Sequence, residues 1–491
     1  MKPVLRLPDI KKYSIGLIGF VFIIKCLQTG YFIYLTQCSN PEIRLSTLAF
    51  SSGDTFSYTG AMENYIKTGT YFFNNGKEDV FAGRLPHYSL PYLFFRTFSD
   101  QPLAYNLVVI FQLILESIAT YYLVVLFLHI TGNTLLAYIL LALCLVASNF
   151  TIFSIYISPE SLSCSTLIFF VYHYYKFLQT SSYRNLLFAG LFLGWLVTLK
   201  AYFAILFLPI GIHFLFTQNR FNLNDLIIAA KRNLVIAAPL IIFLTPWTVR
   251  NYTIYGKIIP LQINATAGYN YTQADMAFRR FVQAWGGDII FWEKTSAGCY
   301  FIPNSGIPCE FKMPAYVYTS QYDSTDIKLV RSKYIDLQTH YSEALEKEVT
   351  ADFDRLTKSF QQEKPWQFYI AAPFRIAAKF LVHSGSYYLP IHSSNPCFHP
   401  IQLGIKLGQT VLYWISLLAG LPGIILLSIR TRNSVLAFIP LSLILLFPFI
   451  FHVGEARYFR TAEPLLYQGA LYLVWSLFSF LKARQHQAKP E

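Results

Sequence analysis

Runs of about 17 to 25 apolar residues, the length that crosses a bilayer as a helix, recur along nearly the whole chain and fix the class of its fold before any motif is read. About ten such runs occur, near 13–35, 103–129, 134–147, 162–178, 186–199, 202–216, 234–247, 407–427, 435–451 and 465–481. With 54% hydrophobic and only 13% charged residues in 491 positions, a soluble domain of this size would stay in solution poorly. The expected fold is an all-α polytopic membrane protein. The first run is too long for a signal-peptide core and lacks a small-residue cleavage site, so it is expected to stay as an anchor.

The formal net charge of +13 raises nucleic acid as a partner, but basic residues in such chains collect in short cytoplasmic loops, and nucleic-acid binding is not expected. Lys2, Arg6, Lys11 and Lys12 precede the first run. Lys176 with Arg184, Arg220, Lys231 with Arg232, Arg430 with Arg432, and Lys482 with Arg484 fall in every second connection. Taking those connections as cytoplasmic puts both termini inside. The segment around Asp54, the Pro159-Glu160 loop, the turn at Lys200, the region beyond Arg250 and the loop from Gly454 to Glu463 then share the outer side.

Three parts follow: a seven-span module over 1–250 with a first outer loop at 38–102, an outer soluble or interfacial domain over 251–400, and terminal spans over 401–491. No internal repeat is visible. Within the outer domain, 366–383 is apolar but carries Arg375, Lys379 and His383 at i, i+4 and i+8, on one helical face. Either it is a basic interfacial helix touching anionic headgroups, or a rim that attracts phosphate. Cys26, Cys144 and Cys164 fall in or beside spans, whereas Cys38, Cys299, Cys309 and Cys397 are on the outer side. Four cysteines suit an oxidising compartment, and the short loop makes Cys299 to Cys309 the simplest bridge.

Moving a sugar from a polyprenyl phosphate at such a surface needs a carboxylate to take a hydroxyl proton and cations to hold the departing phosphate. Asp54, after Gly53, is the candidate base, or else a turn or N-cap aspartate; Glu63, Glu78 and Asp79 are alternatives in the same segment. Glu160 is either a helix-start charge favoured by the dipole or a second acid facing Asp54. Lys200 either snorkels or grips phosphate, and Arg250 is an interface anchor or a phosphate ligand. Arg457, Tyr458 and Arg460 form the densest polar group between the late spans. Lys25 and Glu116 lie inside spans and are functional candidates for that reason.

The aspartate after the first span, Arg84-x-Pro86-x-Tyr88, Leu199-Lys200-Ala201-Tyr202, Pro246-Trp247-Thr248-Val249-Arg250-Asn251-Tyr252 and Ala456-Arg457-Tyr458 together resemble the GT-C membrane glycosyltransferases. The resemblance is to the bacterial branch of protein mannosyltransferase-like enzymes and lipid A aminoarabinose transferases, and it spans nearly the whole chain. It implies a GT-C fold in a bacterial inner membrane with the site facing the periplasm. It also implies an inverting transfer from a polyprenyl-phosphate sugar to a glycan, lipid or protein acceptor, among membrane lipids. By the same resemblance Asp54 is the base or acceptor-orienting group, and Glu160 stands where many relatives carry aspartate. Lys200 and Arg250 lie near the donor phosphate, Arg457 and Tyr458 in the late outer loop, and Glu63, Arg84 and Tyr88 in the first loop. The metal-dependent oligosaccharyl branch pairs two acids across one intervening residue, which the Asp54 segment lacks, so no obligatory metal is expected and the metal ligands are none. A transporter or flippase of a lipid-linked saccharide is the rival; it predicts inverted repeats and spans broken at the midplane.

Overall fold

The computed structural model describes residues 13–39, 48–51, 53–74, 79–216, 222–262, 272–291, 293–302, 308–392 and 395–487. Lys2, Arg6, Lys11, Lys12, Glu78 and Arg220, named above, lie outside them. Two compact units are present: Met1–Gly268 with Ser384–Leu441 and Arg457–Glu491, and Tyr269–His383 with Ser442–Ala456. The expected boundary at 250 falls inside a helix that ends at Tyr255, so the second unit starts later than the loss of apolar residues suggested.

In the first unit α1 is Ser14–Ser39 and α2 Gly53–Thr68, followed by the antiparallel pair β1 (Phe73–Asn74) and β2 (Asp79–Val80), with Phe73 opposite Val80. After a 3₁₀ turn at Pro86–Tyr88 come α3 (Ser89–Arg96), α4 (Gln101–Thr131), α5 (Thr134–Val146), α6 (Ser148–Ile155), α7 (Glu160–Thr180) and α8 (Tyr183–Leu199). A 3₁₀ segment, Ala201–Leu206, leads into α9 (Phe207–Phe216), and α10 is Leu223–Tyr255. The starts are capped: Asp100 accepts from Leu103 N at 2.9 Å and Asn222 from Asp225 N at 2.9 Å, each satisfying a backbone donor the helix cannot. Gly132, at φ +63°, lets the chain reverse between α4 and α5.

The second unit holds α11 (Gln273–Ala284), α12 (Ala297–Phe301), α13 (Ser324–Thr339), α14 (Glu343–Glu363) and α15 (Ala372–Leu381), the last entered through a π turn at Gln367–Ala371. Its core is aromatic: Phe278, Phe281, Phe301, Tyr334, Phe353 and Phe360 are all buried. Capping boxes at Thr272/Asp275 and Asp323/Asp326 fix the starts of α11 and α13. The expected Cys299–Cys309 bridge closes a short loop here, while Cys38–Cys397 joins distant segments of the first unit.

The chain ends with α16 (Ile401–Ile415) running through a π turn into α17 (Leu421–Thr431), then α18 (Ser434–Leu445), extended by a π turn at Leu446–Ile450, α19 (Arg457–Arg460) and α20 (Glu463–Gln487). A Cβ on Gly423 would sit inside the carbonyl of Gly469, and one on Gly420 would meet the Leu466 carbonyl at 2.5 Å. Glycine therefore sets how closely α17 and α20 approach, as small residues do in membrane helix pairs.

Ser14–Cys38, Gln101–Thr131, Leu223–Tyr255, Ile401–Thr431 and Glu463–Lys482 are long and apolar enough to cross a membrane. Ile15, Phe20, Ile23 and Leu27 of α1 turn outward, an arrangement lipid solvates and water does not. The protein is an all-α integral membrane protein. Length and composition thus qualify five spans among the described residues, where ten runs were counted. Four of the others fall on apolar helices of 10–17 residues, which rise only about 15 to 26 Å against a hydrocarbon core of about 30 Å. The run at 162–178 lies within α7, which interleaves Ser, Tyr and His with its apolar residues.

Candidate active site

Three helix starts, the end of α8 and the loop carrying Arg84, all in the first unit, bring acids and cations together. Asp54 lies in the first turn of α2 and Glu160 opens α7, so both carboxylates sit where the helix dipole favours negative charge. Lys200 ends α8 and Arg457 opens α19. Arg457 Nη1 donates to Asp54 Oδ2 at 2.5 Å and stands 3.6 Å from Glu160 Oε1. Lys200 Nζ donates to that same Glu160 oxygen at 2.7 Å. Arg84 Nη2 is 3.5 Å from Asp54 Oδ1, with its Nε 3.4 Å from Ser57 Oγ. Tyr458 supplies the wall: Lys200 Nζ and the Arg457 guanidinium lie 5.3 and 5.5 Å from its ring centre, and Tyr202 meets it edge-on at 5.9 Å.

Among the described contacts, Arg84, Lys200 and Arg457 surround the carboxylates of Asp54 and Glu160. The second Glu160 oxygen, Oε2, is buried with no hydrogen-bond partner among the described residues. A cavity adjoins it, lined by Glu160, Ser161, Cys164, Arg457, Arg460 and Thr461.

The segment that presents Glu160 is clamped from several sides. Gln112 Nε2 donates to the carbonyls of Ser154 (2.9 Å) and Tyr156 (3.1 Å), Thr55 Oγ1 donates to the Ile157 carbonyl at 3.1 Å, and Phe50 pairs with Tyr156 in a parallel bridge. Deeper in the bundle Glu116 accepts from Ser154 Oγ at 2.6 Å and Thr151 Oγ1 at 3.1 Å, and pairs with Lys25 at 3.2 Å. Ser154 in turn bonds Ser161 at 2.6 Å. The Arg457 turn is held by the fully buried Arg460–Glu463 pair at 2.7 Å. Arg460 also donates to the Gly385 carbonyl, and its guanidinium lies 4.8 Å from the Tyr413 ring centre.

Burial pushes the Glu160 carboxyl up, but the Lys200 ammonium and the Arg457 guanidinium outweigh it and hold the group below its usual value. A depressed carboxylate contributes stability that is complete above its unfolded value and is lost as pH falls through the lower folded value. Glu160→Gln is therefore expected to flatten the acid limb of stability below the ordinary carboxyl value of 4.5, measured as the unfolding midpoint in detergent; an unchanged limb would show that the pair carries no such linkage.

The remaining expected residues lie elsewhere. Arg250 donates from Nη1 to the Phe81 carbonyl (2.7 Å) and Asn251 Oδ1 (3.0 Å), and from Nη2 to the Tyr71 carbonyl, with the Trp247 ring 4.9 Å away. These bonds tie α10 to Tyr71 and Phe81, the residues flanking β1 and β2, and so engage Arg250 as a clamp. Glu63 pairs with Arg96 at 2.9 Å and accepts from Tyr92. Tyr88, buried, donates to Gln112 Oε1 at 3.3 Å and packs edge-on against Tyr58, so it supports the clamp. Arg250→Ala is accordingly expected to lower the unfolding midpoint while leaving donor affinity within about twofold, since it removes the bonds to the Tyr71 and Phe81 carbonyls and to Asn251 Oδ1; a large loss of donor affinity with an unchanged midpoint would reverse the assignment. Gln112 was missed by sequence reading, although an amide in the middle of a long apolar helix is a signal of interhelical bonding.

No family model matches this chain, and no curated protein does. Among solved structures it is similar to the archaeal oligosaccharyltransferase AglB from Archaeoglobus fulgidus, determined in complex with an inhibitory peptide and a dolichol-phosphate. The identity is 13% and the TM-score 0.46, with 98% of this chain and 53% of that one covered. The chain thus spans about half the length of that protein. So remote a likeness leaves the chemistry of the site to its own geometry.

Proposed function

We propose that this protein is a membrane glycosyltransferase that moves one sugar from a polyprenyl-phosphate donor to an acceptor hydroxyl, with inversion. The observation that carries the reading is the interleaving of Asp54 and Glu160 with Arg84, Lys200 and Arg457 at 2.5 to 3.6 Å. Asp54 accepts the proton of the acceptor hydroxyl as its oxygen bonds to the anomeric carbon. The bond from that carbon to the phosphate oxygen breaks, and its electron pair leaves on the polyprenyl phosphate. Lys200 and Arg457 meet the charge that grows there; the arginine fork suits two phosphate oxygens at once. Glu160 orients both cations through Oε1 and offers Oε2 to a sugar hydroxyl. Because protein cations supply this stabilisation, the transfer takes no obligatory metal. Arg250 acts here by holding Tyr71 and Phe81 on either side of β1 and β2.

Two disulfides, one in each unit, support a site on the oxidising side of the membrane, which in a bacterium is the periplasmic face of the inner membrane. The acceptor is a cell-envelope glycan, a lipid or a protein side chain. The test is transfer of radiolabelled sugar from a synthetic polyprenyl-phosphate donor by the purified protein in proteoliposomes, alongside mass spectrometry of envelope glycans and lipids from a strain lacking it. Translocation of the donor without cleavage of its sugar–phosphate bond would instead identify a flippase.

A further inference from the structure

Trp366, Ile370, Phe374, Ala378 and Val382 recur at every fourth position through the π turn and α15, and every one of them is exposed. Trp366 is 67%, Phe374 60% and Val382 61% exposed, with Tyr369 beside them at 58%. The preceding helix of the same unit, α14, turns the opposite chemistry outward: Glu343, Lys347, Asp354, Arg355, Lys358 and Glu363. Two consecutive helices in one unit thus present surfaces of opposite chemistry. We infer that the 366–382 stripe is seated in the headgroup and upper acyl region of the bilayer, docking the second unit onto the membrane surface.

Lipid is favoured as the occupant by what lies next to the stripe. Phe374 meets Phe449 edge-on at 5.2 Å and Phe380 stacks on Phe447 at 5.7 Å. Both partners belong to the end of the apolar helix Ser434–Ile450. Ile450, which ends that helix, and Phe451 just beyond it are 65% and 46% exposed, and Phe374 joins the exposed stripe to Phe449 of the same apolar helix. Trp and Tyr at one end of such a surface match the headgroup level of a bilayer.

The mode of attachment differs from the basic face expected from sequence. Arg375 donates to the Trp285 carbonyl at 3.0 Å and to Gln367 Oε1 at 2.6 Å, with Tyr316 4.0 Å beneath it. Lys379 pairs with Asp288, and with Glu293 at 3.7 Å. Both cations are engaged by protein, so the helix is held by apolar burial and not by attraction to anionic headgroups.

The test is site-directed spin labelling of the full chain in phosphatidylcholine nanodiscs, with Cys26, Cys144 and Cys164 replaced by alanine and the disulfides kept. Single labels go at Ile370→Cys, Phe374→Cys and Ala378→Cys on the stripe, with Lys347→Cys and Asp354→Cys on α14 as water-facing references. All five positions are exposed, and three stripe sites keep the test informative if one variant folds poorly. The ratio of collision with oxygen to collision with a water-soluble nickel chelate is expected to be several-fold higher on the stripe than on α14. It should be unchanged between about 0.05 and 0.5 M salt, since screening weakens charge attraction but not apolar burial. Equal ratios on both helices overturn the inference. So does protection from both reagents, which identifies a protein partner or a second copy as the cover, and so does protection that appears only after polyprenyl phosphate is added, which identifies the carrier's tail. Loss of the high ratio in high salt overturns the apolar mode.

Discussion

Asp54→Asn is expected to lower kcat by about 10² to 10⁴, or about 3 to 5 kcal/mol of transition-state stabilisation, because an amide cannot take the acceptor's proton. Donor affinity should hold or tighten in the same variant. Arg457 Nη1 is bonded to Asp54 Oδ2 at 2.5 Å, and neutralising the carboxylate weakens that competitor for the arginine. A fall in kcat with unchanged or lower donor Kd therefore separates a base from a structural anchor, whose loss would lower stability and affinity together. The measurement is single-turnover transfer in proteoliposomes with donor titrated independently, alongside the unfolding midpoint. Full transfer by Asp54→Asn would remove the carboxylate from the mechanism.

Lys200→Ala and Arg457→Ala are each expected to weaken donor binding by about 10- to 150-fold, the equivalent of one charge-assisted hydrogen bond of about 1.5 to 3 kcal/mol. A complication is built into the site: Lys200 is bonded to Glu160 at 2.7 Å, so the single variant leaves a buried carboxylate with a lost partner. Such an orphaned charge is itself strongly destabilising. The double variant Lys200→Ala/Glu160→Gln removes both charges and should recover the unfolding midpoint without recovering donor affinity. Equilibrium binding of fluorescent polyprenyl phosphate to the two variants reads this directly. If the double variant bound donor like the unaltered protein, the ammonium would serve only Glu160.

Part of this site was legible in the chain. Asp54, Glu160, Lys200 and Arg457 are ionisable residues beside apolar runs, where charge is costly to keep without a reason, and the alternation of basic loops placed them on one side. Arg250 satisfied the same criteria and went elsewhere. Its guanidinium serves the carbonyls of Tyr71 and Phe81, and backbone acceptors in the segments beside a short strand pair leave no trace in residue type. Glu63 went to the side chains of Arg96 and Tyr92. At 366–383 the periodicity was right and the face was wrong: Arg375 and Lys379 share a helical face as their spacing requires, but that face is turned toward Trp285 and Asp288.

Sequence by itself determined the solvent and the currency of this protein. Apolar runs of membrane length have only one low-energy environment, and the few charges left among them had to be paired, solvated or functional. Tertiary structure decided which charges meet. Asp54 and Arg457 are separated by 403 positions, and the partner each buried charge takes is set by where helix starts, loop carbonyls and glycine-lined contacts bring the chain together. Coulomb attraction and hydrogen bonding act over a few ångströms in space and are blind to distance along the chain.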